Sequence, residues 1–378
     1  MRKITMFLLV FILAFCHFSI TASAIDVLSV SAKSAVVICT DTREVLFEKA
    51  AKQKMPMAST TKIMTALILA EQPDLSKTVE VTKQMVTVEG SSMGLLAGDT
   101  VSYRDLLYGM LLASGNDAAN TVAFVLGGSV EGFAKMMNKK AREIGLENTN
   151  FVTPSGLDDE NHYTTAYDLA LLTSVALKNT AFRTACGSKQ AVLYYGNPPY
   201  KRTLTNHNKL LGNFDGAIGV KTGFTKKSGR CLVTAAERDG KGVIAVTLNA
   251  PDDWNDHKLL LDYGLSATER LNINNDDITD IIPVVSSDAD HLRIKAEPMS
   301  LCVSAKSKNS VKHVVEMERF LYAPVKAGQT VGKISYYLGN TLIGSSNIYS
   351  VADLRVRNKK EKFSVRFLKN LLLIWNNC

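Results

Sequence analysis

Strand-forming runs stand at both ends of a long helix-rich stretch, and this order constrains the chain more than any other feature. Ser34-Ala-Val-Val-Ile-Cys39-Thr40, the polar turn Asp41-Thr42-Arg43 and Glu44-Val-Leu-Phe47 read as a hairpin. Apolar residues then recur at helical spacing: Ile63, Met64, Leu67 and Ile68, next Leu106, Leu107, Met110 and Leu111, later Phe133, Met136, Met137 and Ile144. Strand signals return at Gly216–Thr222, Arg230–Glu237 and Lys241–Asn249, with Asp239-Gly240 as a hairpin turn, and a helix is expected around His257–Ala267. A sheet can bury its apolar face only against another layer. The economical solution is one antiparallel sheet with strands from both ends of the segment and a helical insertion between them, an α/β chain of the α+β kind.

With 378 residues the chain exceeds one ordinary domain, and 46% hydrophobic against 21% charged residues is globular composition rather than disorder. Near Asn272–Asp280 short β-rich runs take over: Ile281–Val285, His291–Lys295, Leu301–Ala305, Val311–Met317, Val331–Tyr337 and Leu342–Tyr349, with a turn at Gly339-Asn340. These predict a small all-β domain, residues 276–354, after a first domain over 25–272. The β-rich part holds no cluster of charged or nucleophilic residues.

The net charge of +8 suggests nucleic acid until its distribution is examined. Residues 1–24 carry Arg2 and Lys3 and no acid; residues 355–378 carry seven basic residues against Glu361. The rest holds 35 of each sign, so the folded body is neutral and no nucleic-acid partner is expected. Arg2-Lys3, the apolar run Ile4–Phe18 and Ala22-Ser23-Ala24 read as a cleaved export signal, residues 1–24; the alternative is a retained anchor, for which the run is short. In the tail, Phe363, Phe367, Leu368, Leu371, Leu372 and Trp375 share one helical face after a basic run. Such a helix is too short to span a bilayer but suits a membrane surface; the alternative is packing on the protein itself. The expected location is the outer face of the cytoplasmic membrane.

Of six cysteines, Cys16 falls in the signal; no pair has C-x-x-C spacing, and the odd remainder suggests no disulfide framework. Cys39 and Cys231 lie in apolar strand runs and read as core thiols. The six histidines are scattered, so neither metal nor cofactor is expected.

Three short motifs carry the chemistry. Ser59-Thr60-Thr61-Lys62 opens an apolar helical run, and residues three apart share a helix face. A serine hydroxyl is a weak nucleophile unless a base takes its proton, and a lysine does so only if burial or a second cation lowers its pKa. Alone, the motif fits equally an N-cap serine and a surface lysine. Ser114-Gly115-Asn116 follows the Leu106–Leu112 run and suits a loop tip presenting a hydroxyl and an amide, or an ordinary turn between helices. Lys221-Thr222-Gly223 ends the Ala217–Val220 strand, where glycine permits close approach, and Lys221 and Thr222 suit a carboxylate; a plain strand exit is the alternative.

In this order the three motifs match the set described for penicillin-binding proteins and class A β-lactamases. With Met57–Thr65, Ser114-Gly-Asn-Asp-Ala-Ala119, Met137-Asn138, Thr149-Asn-Phe151, Gly156-Leu157, His162–Asp168 and Gly219–Thr225, residues 28–268 resemble the low-molecular-mass D-alanyl-D-alanine carboxypeptidases of bacteria, peptidase family S11. The order of export signal, second β-rich domain and amphipathic tail resembles that family too. The resemblance implies a transpeptidase-like catalytic domain. Ser59 would attack the penultimate D-Ala carbonyl of a peptidoglycan stem, with Lys62 as base. Ser114 and Lys221 would pass a proton to the departing D-Ala. Asn116 would bond the substrate amide, and Lys221 and Thr222 would hold the carboxylate. Gly223 falls in the third motif, and the backbone N–H groups of Ser59 and Phe224 would form the oxyanion hole. β-Lactams would trap Ser59. Two departures stand out: Ser228-Gly229 replaces the family's usual Ala-Gly, and Asp252–His257 occupies the neighbourhood of an arginine that often assists the carboxylate grip. A β-lactamase would need a deacylating carboxylate, for which Asp158, Asp159 and Glu160 are the nearest candidates. A silent cell-wall-binding protein would not need all three motifs.

Overall fold

The computed structural model describes residues 28–275, 278 and 281–357. A five-stranded antiparallel sheet has the order β2-β1-β9-β8-β7, with β1 Ser34–Cys39, β2 Val45–Lys49, β7 Ala217–Thr225, β8 Gly229–Arg238 and β9 Lys241–Leu248. Central strands read as continuous apolar runs because both faces are covered: every residue of β1 is buried, whereas β2 at the edge is mostly exposed. Asp239-Gly240 makes the tight β8–β9 turn, both residues at positive φ, as a two-residue hairpin requires.

The helix Asp253–Ser266 lies on one face, against β1, β8 and β9. It comes so close at Gly264 that a Cβ there would sit 2.7 Å from a Val37 methyl. The helix Ala166–Ala176 packs on β1 and β9, and behind it lie Lys62–Ala70, Tyr103–Leu111, Asn116–Gly127 and Val130–Ile144. The apolar stripes expected as core are buried there, with Met136 and Ile144 partly buried at its margin. Between β2 and β7 in sequence, β3 Thr78–Glu80 pairs with β4 Thr100–Ser102, and β5 Gln190–Gly196 with β6 Pro199–Thr205. Neither pair was anticipated.

Beyond the last helix, β10 Thr268–Ile273 pairs with β13 Met299–Ser304. The expected boundary near residue 272 thus falls inside a strand. The remaining strands, β11 Ile281–Val285, β12 His291–Ala296, β14 Val311–Met317, β15 Leu321–Tyr322, β16 Thr330–Leu338 and β17 Thr341–Ser350, form a sheet of order β14-β16-β17-β12-β11-β15. Alternation of exposed and buried residues along β11 and β12 aims Ile282, Val284, Leu292 and Ile294 at a shared apolar core.

The polar turn after β1 docks on β13. Asp41 accepts from the Cys302 N–H at 2.7 Å, and Glu44 from the Ser304 N–H at 3.1 Å and from the Ser307 hydroxyl. The expected signal and most of the tail helix lie outside the described residues. Among those described, no helix is long and apolar enough to cross a membrane, and no group of His, Cys, Asp and Glu suits a metal ion.

Candidate active site

Ser59 sits in a one-turn 3-10 helix, Ala58–Thr61, that runs into the helix starting at Lys62. Ala58 has φ of 47°, in the left-handed region that strains a residue with a Cβ. The surroundings hold the turn in place. Thr60 Oγ1 donates to the Met57 carbonyl at 2.6 Å and Thr61 Oγ1 to the Ala58 carbonyl at 2.8 Å. His162 Nδ1 accepts from the Val152 N–H at 3.0 Å, so its Nε2 carries the proton and donates to Thr61 Oγ1 at 2.8 Å. Burial drives the His162 pKa down to about 4, keeping it neutral. A Cβ on Gly156 would collide with the Ala58 carbonyl oxygen and Thr61 Oγ1.

Lys62 is fully buried, with Nζ 3.0 Å from Ser59 Oγ, 2.7 Å from Asn116 Oδ1 and 2.8 Å from the Ser155 carbonyl oxygen. Asn116 Nδ2 donates to the Glu89 carbonyl at 2.6 Å, which fixes the orientation of the amide and leaves Oδ1 toward Lys62. The Asn116 Oδ1 and the Ser155 carbonyl only accept. A neutral amine therefore spends its two N–H groups on them and aims its lone pair at the one partner able to donate, the Ser59 hydroxyl. Burial holds the Lys62 pKa well below the ordinary lysine value of 10.5, and the charge of Lys221 lowers it further against the pull of Asp117.

The second motif lies between two helices. Ser114 has φ of 57°, and Asn116 opens the helix that follows. Asp117, quoted in the resemblance without a role, accepts from the N–H groups of Met93, Gly94 and Leu95, each at 3.0 Å, and from the Ser92 hydroxyl. The Asn116 N–H donates to the Ser91 carbonyl at 2.7 Å. These bonds seat the segment 91–95 beside the serine loop.

The third motif lies on β7, whose outer side is a sheet edge. A Cβ on Gly223 would stand 3.0 Å from the Ser59 nitrogen and 3.1 Å from that of Thr60, so the missing side chain lets β7 lie against the Ser59 turn. Lys221 is buried and donates to the Thr222 carbonyl at 2.8 Å; burial lowers its pKa to about 7.

Ser59, Ser114, Thr222, Gly223 and Phe224 line one cleft of about 320 Å³, with Lys62, Asn116 and Lys221 buried close by. A roomier surface groove of about 700 Å³, lined by residues such as Glu48, Lys52 and Tyr167, carries none of the motifs.

The cleft also holds residues that the motifs did not identify: Ser91, His207, Arg230, Asp253 and Trp254. Arg230 stands opposite Phe224 across the β7–β8 pair. Its Nε and Nη2 lie 2.9 and 2.8 Å from Asp253 Oδ1, and its guanidinium carbon is 5.8 Å from the Trp254 ring centre. The sequence signal was an arginine at the start of the apolar run Cys231–Ala236. Burial raises the Asp253 carboxyl above its usual range, and Arg230 opposes the shift. Asp158 accepts from Thr225 Oγ1 at 2.9 Å, Glu160 is exposed, and Asp253 is the acid among the cleft-lining residues. The Ser228 departure is accommodated: its buried hydroxyl donates to the Gly229 carbonyl and accepts from the Thr225 N–H.

Residues 20–252 match the family model described as D-alanyl-D-alanine carboxypeptidase, Peptidase S11, and residues 272–355 match that of the penicillin-binding protein 5 C-terminal domain. The D-alanyl-D-alanine carboxypeptidase DacF of Bacillus subtilis is 32% identical over 355 residues, 91% of this chain and 90% of that one. DacC of Escherichia coli is 32% identical over 83% of this chain and 82% of its own. Among solved structures, penicillin-binding protein 5 from Haemophilus influenzae aligns with TM-score 0.62 and 26% identity over 86% of this chain and 98% of its own.

Proposed function

The chain belongs to the D-alanyl-D-alanine carboxypeptidase family, Peptidase S11, and from that premise we propose how its own residues perform the reaction. The enzyme is a serine-type hydrolase. Ser59 Oγ attacks the carbonyl carbon of the penultimate D-Ala of a peptidoglycan stem while neutral Lys62 accepts the hydroxyl proton. The backbone N–H groups of Ser59 and Phe224 receive the oxyanion. As the amide C–N bond breaks, the departing D-Ala nitrogen takes a proton through Ser114 and Lys221. Water then hydrolyses the Ser59 ester. The three-way bonding of Lys62 carries this reading, because it leaves the serine hydroxyl as the sole proton donor facing the amine.

Asn116 serves the substrate amide in this scheme, although its amide group here is engaged by Lys62 and the Glu89 carbonyl. Thr222 holds the terminal carboxylate with a second cation, for which Arg230 is our assignment. Lys221 is buried and only partly charged near neutral pH, whereas a guanidinium keeps its charge. Asp253 orients Arg230 through one edge of the guanidinium. β-Lactams, which present a strained amide in place of the D-Ala-D-Ala bond, acylate the same serine.

We assign residues 25–272 to catalysis, 276–354 to an all-β companion domain and 1–24 to export. The basic amphipathic segment 355–378 would hold the enzyme on the outer face of the cytoplasmic membrane, where trimming stems limits cross-linking. Incubation with a diacyl-L-Lys-D-Ala-D-Ala peptide should release one D-Ala, and labelled penicillin should give a slowly decaying adduct on the peptide containing Ser59. Fast penicillin turnover would instead indicate a β-lactamase. Full-length protein should pellet with anionic vesicles and lose that binding when residues 358–378 are removed; equal partitioning of both forms into the supernatant would refute the anchor.

A further inference from the structure

Cys39 ends β1 and Cys302 lies in β13, 263 positions apart along the chain. Their sulfurs are 3.2 Å apart, and both side chains are buried. Cys39 Sγ also lies 3.0 Å from the Cys302 carbonyl oxygen, and the Gly242 N–H donates to Cys302 Sγ at 3.3 Å. The backbone on either side is pinned by the bonds from the Cys302 and Ser304 N–H groups to Asp41 and Glu44. Cys186 and Cys231, also buried, have backbone carbonyls as their sulfur partners.

We propose that Cys39 and Cys302 form a disulfide that cross-links the five-stranded sheet to β13. A bond of about 2.05 Å requires the sulfurs to close by about 1 Å, within the range of small side-chain rotations. The hydrogen bond with Cys302 lowers the Cys39 pKa to about 7 against the opposing effect of burial, and Cys302 rises in return.

The oxidant is a disulfide, either a small molecule or a thiol oxidoreductase in its oxidised form. The thiolate of one of the two cysteines attacks one sulfur of the oxidant, forming a mixed disulfide and releasing one thiolate. The other cysteine loses its proton and attacks the bonded cysteine sulfur, expelling the second thiolate. Two cysteine thiols are oxidised and one oxidant disulfide is reduced to two thiols. The closed seam leaves no room for a mixed disulfide, so the exchange belongs to folding, before β13 settles.

The test is to refold the full chain in a mixture of oxidised and reduced glutathione, then digest it without reductant for mass spectrometry. Labelled penicillin checks that each sample is native. The expected product is a Cys39 peptide joined to a Cys302 peptide, lighter by two hydrogens and separated by dithiothreitol. Reduction should lower the thermal midpoint by several degrees, and Cys39→Ala and Cys302→Ser should each abolish that fall while Cys231→Ala keeps it. If one seam variant fails to fold, the other still reads the effect. Native, penicillin-reactive protein in which both cysteines stay free, or are capped by glutathione, would overturn the proposal. So would a linked peptide whose reduction leaves the midpoint unchanged.

Discussion

The two large sheets of the described structure are filled in different ways. Around the five-stranded sheet the interior takes in charge and polarity: Lys62, Lys221, Asn116, Asp117, His162 and His257 are all buried there. The described interior of the C-terminal sheet is built from Ile282, Val284, Leu292, Ile294, Val303, Ile334 and Ile348, with Tyr336, Asn275 and a few serines as its polar members. Burying an amine disfavours its charged form, and in the first region that penalty holds the Lys62 pKa well below its ordinary value. The second region has no such penalty and needs no such network. Stability and chemistry are thus divided between the sheets, and substitutions should separate them.

The largest effect is expected at Lys62. Lys62→Ala should slow acylation by labelled penicillin roughly 10²–10⁴-fold. Its pH dependence sharpens the point. In the native enzyme acylation should rise with pH through an ionisation well below 10.5. Lys221→Met removes one of the two causes of the depression, so the midpoint of any residual activity should move to higher pH. An unmoved midpoint would separate the two lysines.

Arg230→Gln should raise the KM for a D-Ala-D-Ala peptide roughly tenfold, the scale of one partly exposed charge-assisted contact, with kcat less affected. A loss confined to kcat would remove Arg230 from the carboxylate grip.

Acid should find the first region before the second. His162 and His257 have pKa values of about 4 and about 3, both lowered by burial, against 6.5 for a free side chain. Between those limits the unfolded chain binds more protons, so their contribution is complete above pH 6.5 and is lost as pH falls through the window. His291 and His313 of the C-terminal region are exposed. Hydrogen-exchange protection factors, corrected for the intrinsic pH dependence of amide exchange, should therefore fall between pH 7.5 and pH 5 in the five-stranded sheet more than in β12 and β16. A uniform fall would erase the contrast.

The smallest effect is reserved for the apolar side. Tyr336 OH is 2.8 Å from Asn275 Oδ1 and 3.0 Å from Ser346 Oγ, and Tyr336→Phe should cost about 1 kcal/mol with kcat unchanged. A drop in kcat would couple the sheets.

Much of this was legible because the signals were local. β1, the central helices and β7 to β9 follow from apolar periodicity, and Asp239-Gly240 from turn chemistry. The β5–β6 hairpin was missed although Leu193, Tyr195 and Leu204 alternate toward the core, because its Asn197-Pro198 turn lacks a strong two-residue signature. The motif residues were found from spacing. Arg230 and Asp253 were not, because their ion pair joins a strand to a helix 23 residues later and neither residue belongs to a motif. The seam was illegible for a related reason: nothing in Asp41-Thr42-Arg43 announces a partner more than 250 residues away.

That seam has an evolutionary consequence. Asp41 and Glu44 bind main-chain N–H groups of alternate residues in β13, the edge facing away from β10, much as another strand would. They register the path of the strand and are indifferent to its side chains. Apart from Cys302 and the core residues Leu301 and Val303, the side chains of β13 are thus free to vary at little cost to docking, while the two acids carry a constraint out of proportion to their number.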